Sequence, residues 1–192
     1  MQIAHLSAPA LGETRCGDIA VIREEAAATM IAVVDVLGHG PEAARIAEIA
    51  AGCLRAAPIK RAKDAMAALH EALRGSRGAA ATVFVIRGLR IDGCGVGNVE
   101  LRVLGTSVPV LLTPGIVGQR MSTLREFEGP LAGGDRLICF SDGISSRVPF
   151  AELRALAPRE ACAAIMQQHR RNHDDGTVVI ADLAPLQRKD VS

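Results

Sequence analysis

The run "TMIAVVDVL" at residues 29–37 places β-branched residues on both faces of a predicted strand, which indicates burial from two sides. One acid, Asp35, interrupts this run near its end, and the sequence "LGHG" follows it. Gly40 and Pro41 then begin a helix, because proline suits a first helical position where its missing N–H would be unpaired anyway. A carboxylate at the end of a buried strand is costly to desolvate. We therefore treat Asp35 as a candidate functional residue.

Length and composition limit the class of protein. The 192 residues fit one compact domain, which we predict to span residues 1–192. Apolar residues make up 49% and the formal net charge is +1, which is typical of globular proteins and argues against a disordered or nucleic-acid-binding chain. The aromatic content of 2% leaves few side chains on which nucleic-acid bases could stack.

The cysteines and the hydropathy pattern bear on the compartment. The five cysteines contain no C-x-x-C pair, which favours reduced, buried thiols over a disulfide framework or a soft-metal site. The N-terminus lacks a basic segment followed by an apolar one, and no run of about 18 apolar residues occurs. We expect a cytoplasmic monomer that binds neither nucleic acid nor a membrane.

The order of the predicted elements indicates the fold class. Two strands come first, and two helices follow, the first ending at Pro58 and the second covering residues 62–74. Short apolar or alternating runs, punctuated by glycine, proline and asparagine, then continue to about residue 143. A helix over 157–172 and a strand from 174 complete the chain. This order favours an α+β fold with antiparallel sheet and external helices over a doubly wound parallel sheet.

Carboxylates recur at the ends of predicted strands. Asp18, Asp35, Asp142 and the pair Asp174–Asp175 each lie beside a glycine or a turn. Any one of them alone is explained as a turn residue that accepts hydrogen bonds from backbone N–H groups. Several converging on one end of a sheet would repel one another unless a cation lay between them, and Mg²⁺ or Mn²⁺ prefers such oxygen ligands. Two such ions about 3.5–4 Å apart are suited to phosphate-ester hydrolysis.

Four short motifs resemble a known family. They are "CGD" at 16–18, "DVLGHG" at 35–40, "SDGI" at 141–144 and "DDGT" at 174–177. In this order they resemble the metal-dependent PPM (PP2C-type) serine/threonine phosphatases, within them the bacterial SpoIIE/RsbX branch. The short chain and the "CGD" motif are most similar to the RsbX-like phosphatases of the stressosome. The resemblance covers nearly the whole chain.

The resemblance implies a fold and a metal centre. The implied fold is an α-β-β-α sandwich of two antiparallel sheets with helices outside. The implied cofactors are two divalent cations, Mn²⁺ or Mg²⁺, bridged by Asp35, with the backbone carbonyl of Val36 on the first ion. Asp142 and Asp174 are implied as ligands of the second ion, and Asp18 as acting near the first through water.

The resemblance also implies a substrate class. In RsbX-like proteins the substrates are phosphoserine or phosphothreonine residues on STAS-domain partners such as RsbS and RsbR. A metal-activated water would carry out the hydrolysis in a stress-signalling pathway.

Two functional residues of the eukaryotic relatives do not transfer to this chain. Leu37 stands where those relatives carry a histidine as general acid, and His39 lies two residues further on, where it either donates a proton or only completes a turn. Arg15 is near the place of their phosphate-clamping arginine, but the local pattern does not align. "HRR" at 169–171 with His173 is either a basic rim for a phosphoprotein or a solvated helix end.

Two functions from different classes fit these features. The first is an active metal-dependent phosphoprotein phosphatase. The second is a catalytically weak module of the same fold that binds phosphoproteins or a regulatory partner. The presence of Asp18, Asp35, Asp142 and Asp174 favours the enzyme.

Overall fold

The computed structural model describes residues 1–185, which form ten β-strands, three α-helices and one short 3₁₀ helix. The strands form two sheets, here called sheet I and sheet II. Sheet I contains, in spatial order, β1 (Gln2–Ala8), β10 (Gly176–Asp182), β9 (Arg136–Phe140) and β6 (Glu100–Leu104). All of its pairs are antiparallel.

Sheet II contains six strands built around a long hairpin. In spatial order it contains β2 (Asp18–Glu25), β3 (Ala28–Val36), β4 (Ala79–Arg87), β5 (Arg90–Val96) and β7 (Leu112–Thr113), and β8 (Glu126–Pro130) also pairs with β5. Its pairs are antiparallel except for the two-residue contact between β5 and β7.

Helices cover the outer face of each sheet. α1 (Gly40–Ala56) and α2 (Ala62–Ala72) pack on sheet II, and α3 (Pro158–His169) packs on sheet I. A 3₁₀ helix (Glu152–Ala155) precedes α3. Pro41 lies in the first turn of α1, as predicted, and the second predicted helix ends two residues earlier than its predicted end at residue 74.

Three apolar layers hold these elements together. One lies between α1, α2 and sheet II, one between the two sheets, and one between sheet I and α3. The result is an α-β-β-α sandwich, which confirms the predicted fold class. No helix among residues 1–185 is both long enough and apolar enough to cross a membrane.

Strand β3 shows how the sequence directs this layering. Met30, Ala32 and Val34 face the helices, whereas Ile31 and Val33 face sheet I. All five side chains are buried, so the two-sided burial predicted for this run is confirmed. By the same alternation Asp35 follows Ile31 and Val33 on the face between the sheets.

Some elements differ from the sequence-based expectation. Strand β1 was not predicted, because it is a half-exposed edge strand that pairs only with β10 and therefore carries little hydrophobic signal. The short runs predicted up to about residue 143 include 107–115, of which only Leu112–Thr113 forms a strand, while Gly115 makes an isolated bridge to Met121. The five cysteines form no disulfide. Residues 186–192, the end of the predicted domain, lie outside the described residues.

Candidate active site

Asp18 and Asp35 form the base of the site. They are register partners at the ends of β2 and β3, so their Cβ atoms lie about 5 Å apart on one face of sheet II. That face is the one directed at sheet I, since Asp18 alternates with Ala20 and Ile22 in the same way that Asp35 alternates with Val33. The side chain of Asp18 is buried and that of Asp35 is partly buried.

Asp142 and Asp174 approach the same end from sheet I. β9 ends at Phe140 and β10 begins at Gly176, and the two strands are antiparallel neighbours, so the residues after β9 lie beside those before β10. The backbone N–H of Ser141 donates to the carbonyl of Thr177 at 3.0 Å and extends this pairing. Both carboxyls are partly exposed, so the site opens to solvent on this side.

The carboxyl groups are close enough to perturb one another. Burial, followed by the charges of Asp18, Asp142 and Asp174, raises the pKa of Asp35 to about 9. Burial is also the largest cause of the raised pKa of Asp18, about 7, to which the charge of Asp175 contributes, while the hydrogen bond from Ser141 acts in the opposite direction. The pKa of Asp142 is raised by its burial and by Asp174. The structure thus brings the four predicted acids together, although their roles as metal ligands stay predictions.

Ser141 links the two sheets at this site. Its Oγ accepts a hydrogen bond from the backbone N–H of Thr177 at 2.9 Å and donates to Oδ2 of Asp18 at 2.5 Å. The other oxygen of Asp18, Oδ1, is buried and has no hydrogen-bond partner within residues 1–185. A buried carboxylate oxygen without a donor is unusual, and it suits contact with a cation or with cation-bound water.

Asp175 supports the site. Its Oδ1 accepts the backbone N–H of Ala10 at 2.8 Å, and its Oδ2 accepts that of Gly17 at 2.7 Å. Both oxygens are therefore engaged in holding the loop that leads into Asp18. Gly17 is needed here, because a Cβ at that position would lie 2.7 Å from the Cβ of Ala43 and 2.9 Å from Oδ2 of Asp175.

Asn98 contacts Asp142 and was missed by the sequence reasoning. Its side-chain amide donates to Oδ2 of Asp142 at 2.7 Å from the turn between β5 and β6. The turn is tied down on both sides, since the N–H of Gly97 donates to Thr113 and the hydroxyl of Thr82 donates to the carbonyl of Val99. Glycine and asparagine here mark only the end of an apolar run, because no local pattern points to a residue 44 positions away.

The basic residues near "LGHG" are paired with glutamates. His39 Nδ1 lies 2.8 Å from Oε1 of Glu13 and is exposed, which agrees with its interpretation as a turn residue. Arg15 pairs with Glu48 on α1.

Arg77 covers the turn that follows β3. It pairs with Glu42 at 2.5 Å, and its Nη1 donates to the carbonyl of Leu37 at 3.3 Å. Gly38 adopts φ 81° beneath it, a conformation that favours glycine and turns the chain from β3 into α1.

Comparison with known proteins identifies the family. The sequence profile of stage II sporulation protein E (SpoIIE) matches residues 25–184. The chain belongs to the SpoIIE family. This membership confirms the resemblance and the predicted enzyme class, a phosphoprotein phosphatase of the PPM (PP2C) type. No curated protein gave a significant sequence match.

Solved structures resemble this SpoIIE-family protein over nearly its whole length. A structure from the bacterial stressosome, described as a modular system adapted to control secondary messenger signaling, is 31% identical, with a TM-score of 0.87, covering 93% of this chain and 97% of that one. RsbX in complex with magnesium is 19% identical, with a TM-score of 0.82 and 95% coverage of both chains. The phosphatase domain of SpoIIE from Bacillus subtilis, solved with a fragment of its regulatory domain, is 19% identical, with a TM-score of 0.74, covering 95% of this chain and 63% of that one.

The donor set of this SpoIIE-family protein suits a hard divalent cation. The converging groups are carboxylate oxygens, and Asp18 offers one buried oxygen that has no donor in the described part of the chain. Across residues 1–185 no three His, Cys, Asp or Glu side chains already surround a common point closely enough to hold an ion. Carboxylates that converge in this way repel one another, and a bound cation would relieve that repulsion.

Proposed function

We propose that this SpoIIE-family protein is a metal-dependent phosphatase that hydrolyses phosphoserine and phosphothreonine on STAS-domain stress-signalling proteins. The observation that carries the proposal is the convergence of four strand-end carboxyls, from both sheets, on one solvent-open end of the sandwich. Such a cluster is unfavourable for stability by itself. A role in binding cations, which in turn bind phosphate, explains why the protein has such a cluster.

Each acid has its own role in this proposal. Asp35 would hold both of two divalent ions, Mn²⁺ or Mg²⁺, and the carbonyl oxygen of Val36 would help to hold the first. Asp142 and Asp174 would hold the second, and Asp18 would act near the first through water. When bound, the ions supply an activated water and neutralise the charge of the phosphate.

The surrounding side chains orient these acids. Ser141 fixes the rotation of the Asp18 carboxylate, so that Oδ1 points away from its only described donor. Asn98 holds Oδ2 of Asp142 and leaves its other oxygen for the ion. Partners of this kind fix ligand geometry and tune affinity.

The 31% identity to a stressosome structure supports the choice of substrate class. The likeness to RsbX agrees with it. The five free thiols suit a reducing compartment, and we propose that the protein acts in the cytoplasm.

The first test measures hydrolysis of a chromogenic phosphate ester with Mn²⁺ or Mg²⁺, and again after addition of a chelator. We expect activity only with metal. Asp35→Asn should lower the rate by at least about 10³-fold, since the several kcal/mol contributed by metal catalysis would be lost. Asp64→Asn, on the exposed face of α2, is the matched control and should keep wild-type activity.

The second test offers phosphorylated STAS-domain proteins from the same genome, with phosphorylated proteins of unrelated fold as controls. Selective loss of phosphate from the STAS proteins is expected. A folded, metal-binding protein that hydrolyses neither the ester nor any phosphoprotein would instead support the binding-module alternative.

A further inference from the structure

Positive side chains around the acidic site differ in whether their charge is compensated. Arg15, Arg77 and His39 lie on the side of "LGHG", and each contacts a glutamate. These three side chains are therefore already engaged within the protein. A group that binds a substrate phosphate needs donors that are still available.

Arg171 lies on the opposite side of the site, next to Asp142. Its Nη1 donates to the backbone carbonyl of Asp142 at 3.0 Å. Its backbone is fixed as well, since its N–H donates to the carbonyl of Gly143 at 2.7 Å and its own carbonyl accepts the N–H of Asp174 at 3.3 Å. Arg171 is thus anchored to both loops that carry the acids from sheet I.

The remaining donors of Arg171 are available. The residue is exposed, and within residues 1–185 no carboxylate lies at ion-pair distance from it. A guanidinium has five N–H groups, and only one side-chain hydrogen bond of Arg171 is present among the described residues. Its charge also favours the ionised form of Asp142 and opposes the rise in the pKa of that carboxyl.

We propose that Arg171 forms the phosphate-binding subsite of this enzyme, donating to phosphate oxygens of the phosphorylated side chain beside Asp142. The inference rests on the proposed phosphatase function. It names a residue that binds the phosphate group itself, which the acids cannot do because carboxylates repel a phosphate. The planar guanidinium matches two phosphate oxygens at once, whereas a lysine would offer a point charge. The same contact would retain inorganic phosphate as the product.

Inorganic phosphate is the probe for the test. Its binding to the Mn²⁺-loaded full-length protein is measured by calorimetry for wild type, Arg171→Ala and Arg171→Lys. Loss of charge-assisted hydrogen bonds should weaken phosphate binding by about tenfold or more in Arg171→Ala and by less in Arg171→Lys. Arg159→Ala, an exposed arginine at the start of α3, is the matched control and should bind phosphate like wild type.

A separate Mn²⁺ titration distinguishes substrate binding from a structural role. If Arg171 binds phosphate, the affinity for Mn²⁺ should be unchanged or slightly higher in Arg171→Ala, because a positive charge near the ions is removed. The KM for a phosphoprotein should rise more than kcat falls. The inference would be overturned if Arg171→Ala bound phosphate as tightly as the wild type. It would also be overturned if Arg171→Ala lost Mn²⁺ affinity as much as phosphate affinity, or if the wild type did not bind phosphate.

The two proposals fail in different ways. A wild-type protein that binds Mn²⁺ and phosphate but hydrolyses no phosphoprotein would contradict the proposed function, while the phosphate titration would still decide the role of Arg171. If the wild type hydrolyses phosphoproteins and Arg171→Ala has the same KM and the same phosphate affinity as the wild type, only the inference is overturned.

Discussion

Asp18 and Asp35 lie directly opposite each other on β2 and β3, at the end of the face that packs against sheet I. Like charges opposite each other on neighbouring strands destabilise a sheet. A hydrophobic pair would pack better at this position. The proposed metal site accounts for this pair, because a bound cation would compensate both charges, whereas the metal-free protein compensates them by holding protons.

The stability of the metal-free protein should depend on pH in a direction set by this pair. The folded-state pKa values of Asp35 and Asp18, about 9 and about 7, lie above the ordinary value near 4 of an unfolded chain. Between these values the folded state binds more protons than the unfolded state, so the free energy of unfolding should fall as pH rises from about 4 to about 9.

Urea unfolding of chelator-treated protein at several pH values across this window measures the effect. Asp35→Asn should flatten the dependence, and added Mn²⁺ should restore stability at the alkaline end. A metal-free wild type that becomes more stable as pH rises would contradict the prediction.

Removing the amide of Asn98 should weaken the metal site. Asn98→Ala leaves Oδ2 of Asp142 without its donor, so the carboxylate loses its fixed orientation. Partners of this kind typically contribute 10–100-fold in metal affinity, so we expect Mn²⁺ to bind about tenfold more weakly by calorimetry. Gln119→Ala is the control, because within residues 1–185 the amide of Gln119 donates only to the backbone carbonyls of Ser76 and Arg77. Unchanged Mn²⁺ affinity in Asn98→Ala would show that Asp142 is positioned without it.

Ser141→Ala should destabilise the fold by removing one hydrogen bond that joins the two sheets, to Asp18, and one within sheet I, from Thr177. The substitution leaves the buried N–H of Thr177 without its side-chain acceptor and Oδ2 of Asp18 without its donor. A loss of about 1–3 kcal/mol in the free energy of unfolding is expected for such buried groups. Ser145→Ala is the control, because the hydroxyl of Ser145 accepts the N–H of Arg147 at 3.2 Å on a more exposed part of the same loop, and this is its one side-chain hydrogen bond among the described residues. If both variants lowered the free energy of unfolding by the same amount, the hydrogen bonds of Ser141 would not explain the loss.

Two glycine substitutions should have opposite effects. A Cβ at Gly143 would lie 1.8 Å from the carbonyl oxygen of Asp175, so Gly143→Ala must displace the loop between Asp142 and Ile144 and should lower both thermal stability and Mn²⁺ affinity. Gly52 lies within α1 with nothing near its Cβ position, so Gly52→Ala should stabilise the protein by up to about 1 kcal/mol through helix propensity. Thermal unfolding followed by circular dichroism compares them. A neutral Gly143→Ala would mean that this loop is free to adjust.

Much of the fold follows from local patterns. The run ending in Asp35 has the alternation of a strand buried on both faces, and Pro41 begins the helix that follows it. The edge strand β1 was missed because half-exposed strands that pair on one side carry little signal. Asn98 was missed for another reason, since its function depends on a partner 44 residues away rather than on its own neighbours.

By itself, the sequence determined which acids end strands and, through the two-residue period of a strand, that Asp35 shares a face with Ile31 and Val33. Only the tertiary structure decided that Ser141 donates to Asp18, 123 residues away in sequence. It also decided that Arg171 donates to the backbone carbonyl of Asp142, which is its one side-chain hydrogen bond among the described residues. The reason is physical. Backbone periodicity is a local property of the chain, whereas the stacking of one sheet on another depends on burying apolar faces that are distant in sequence.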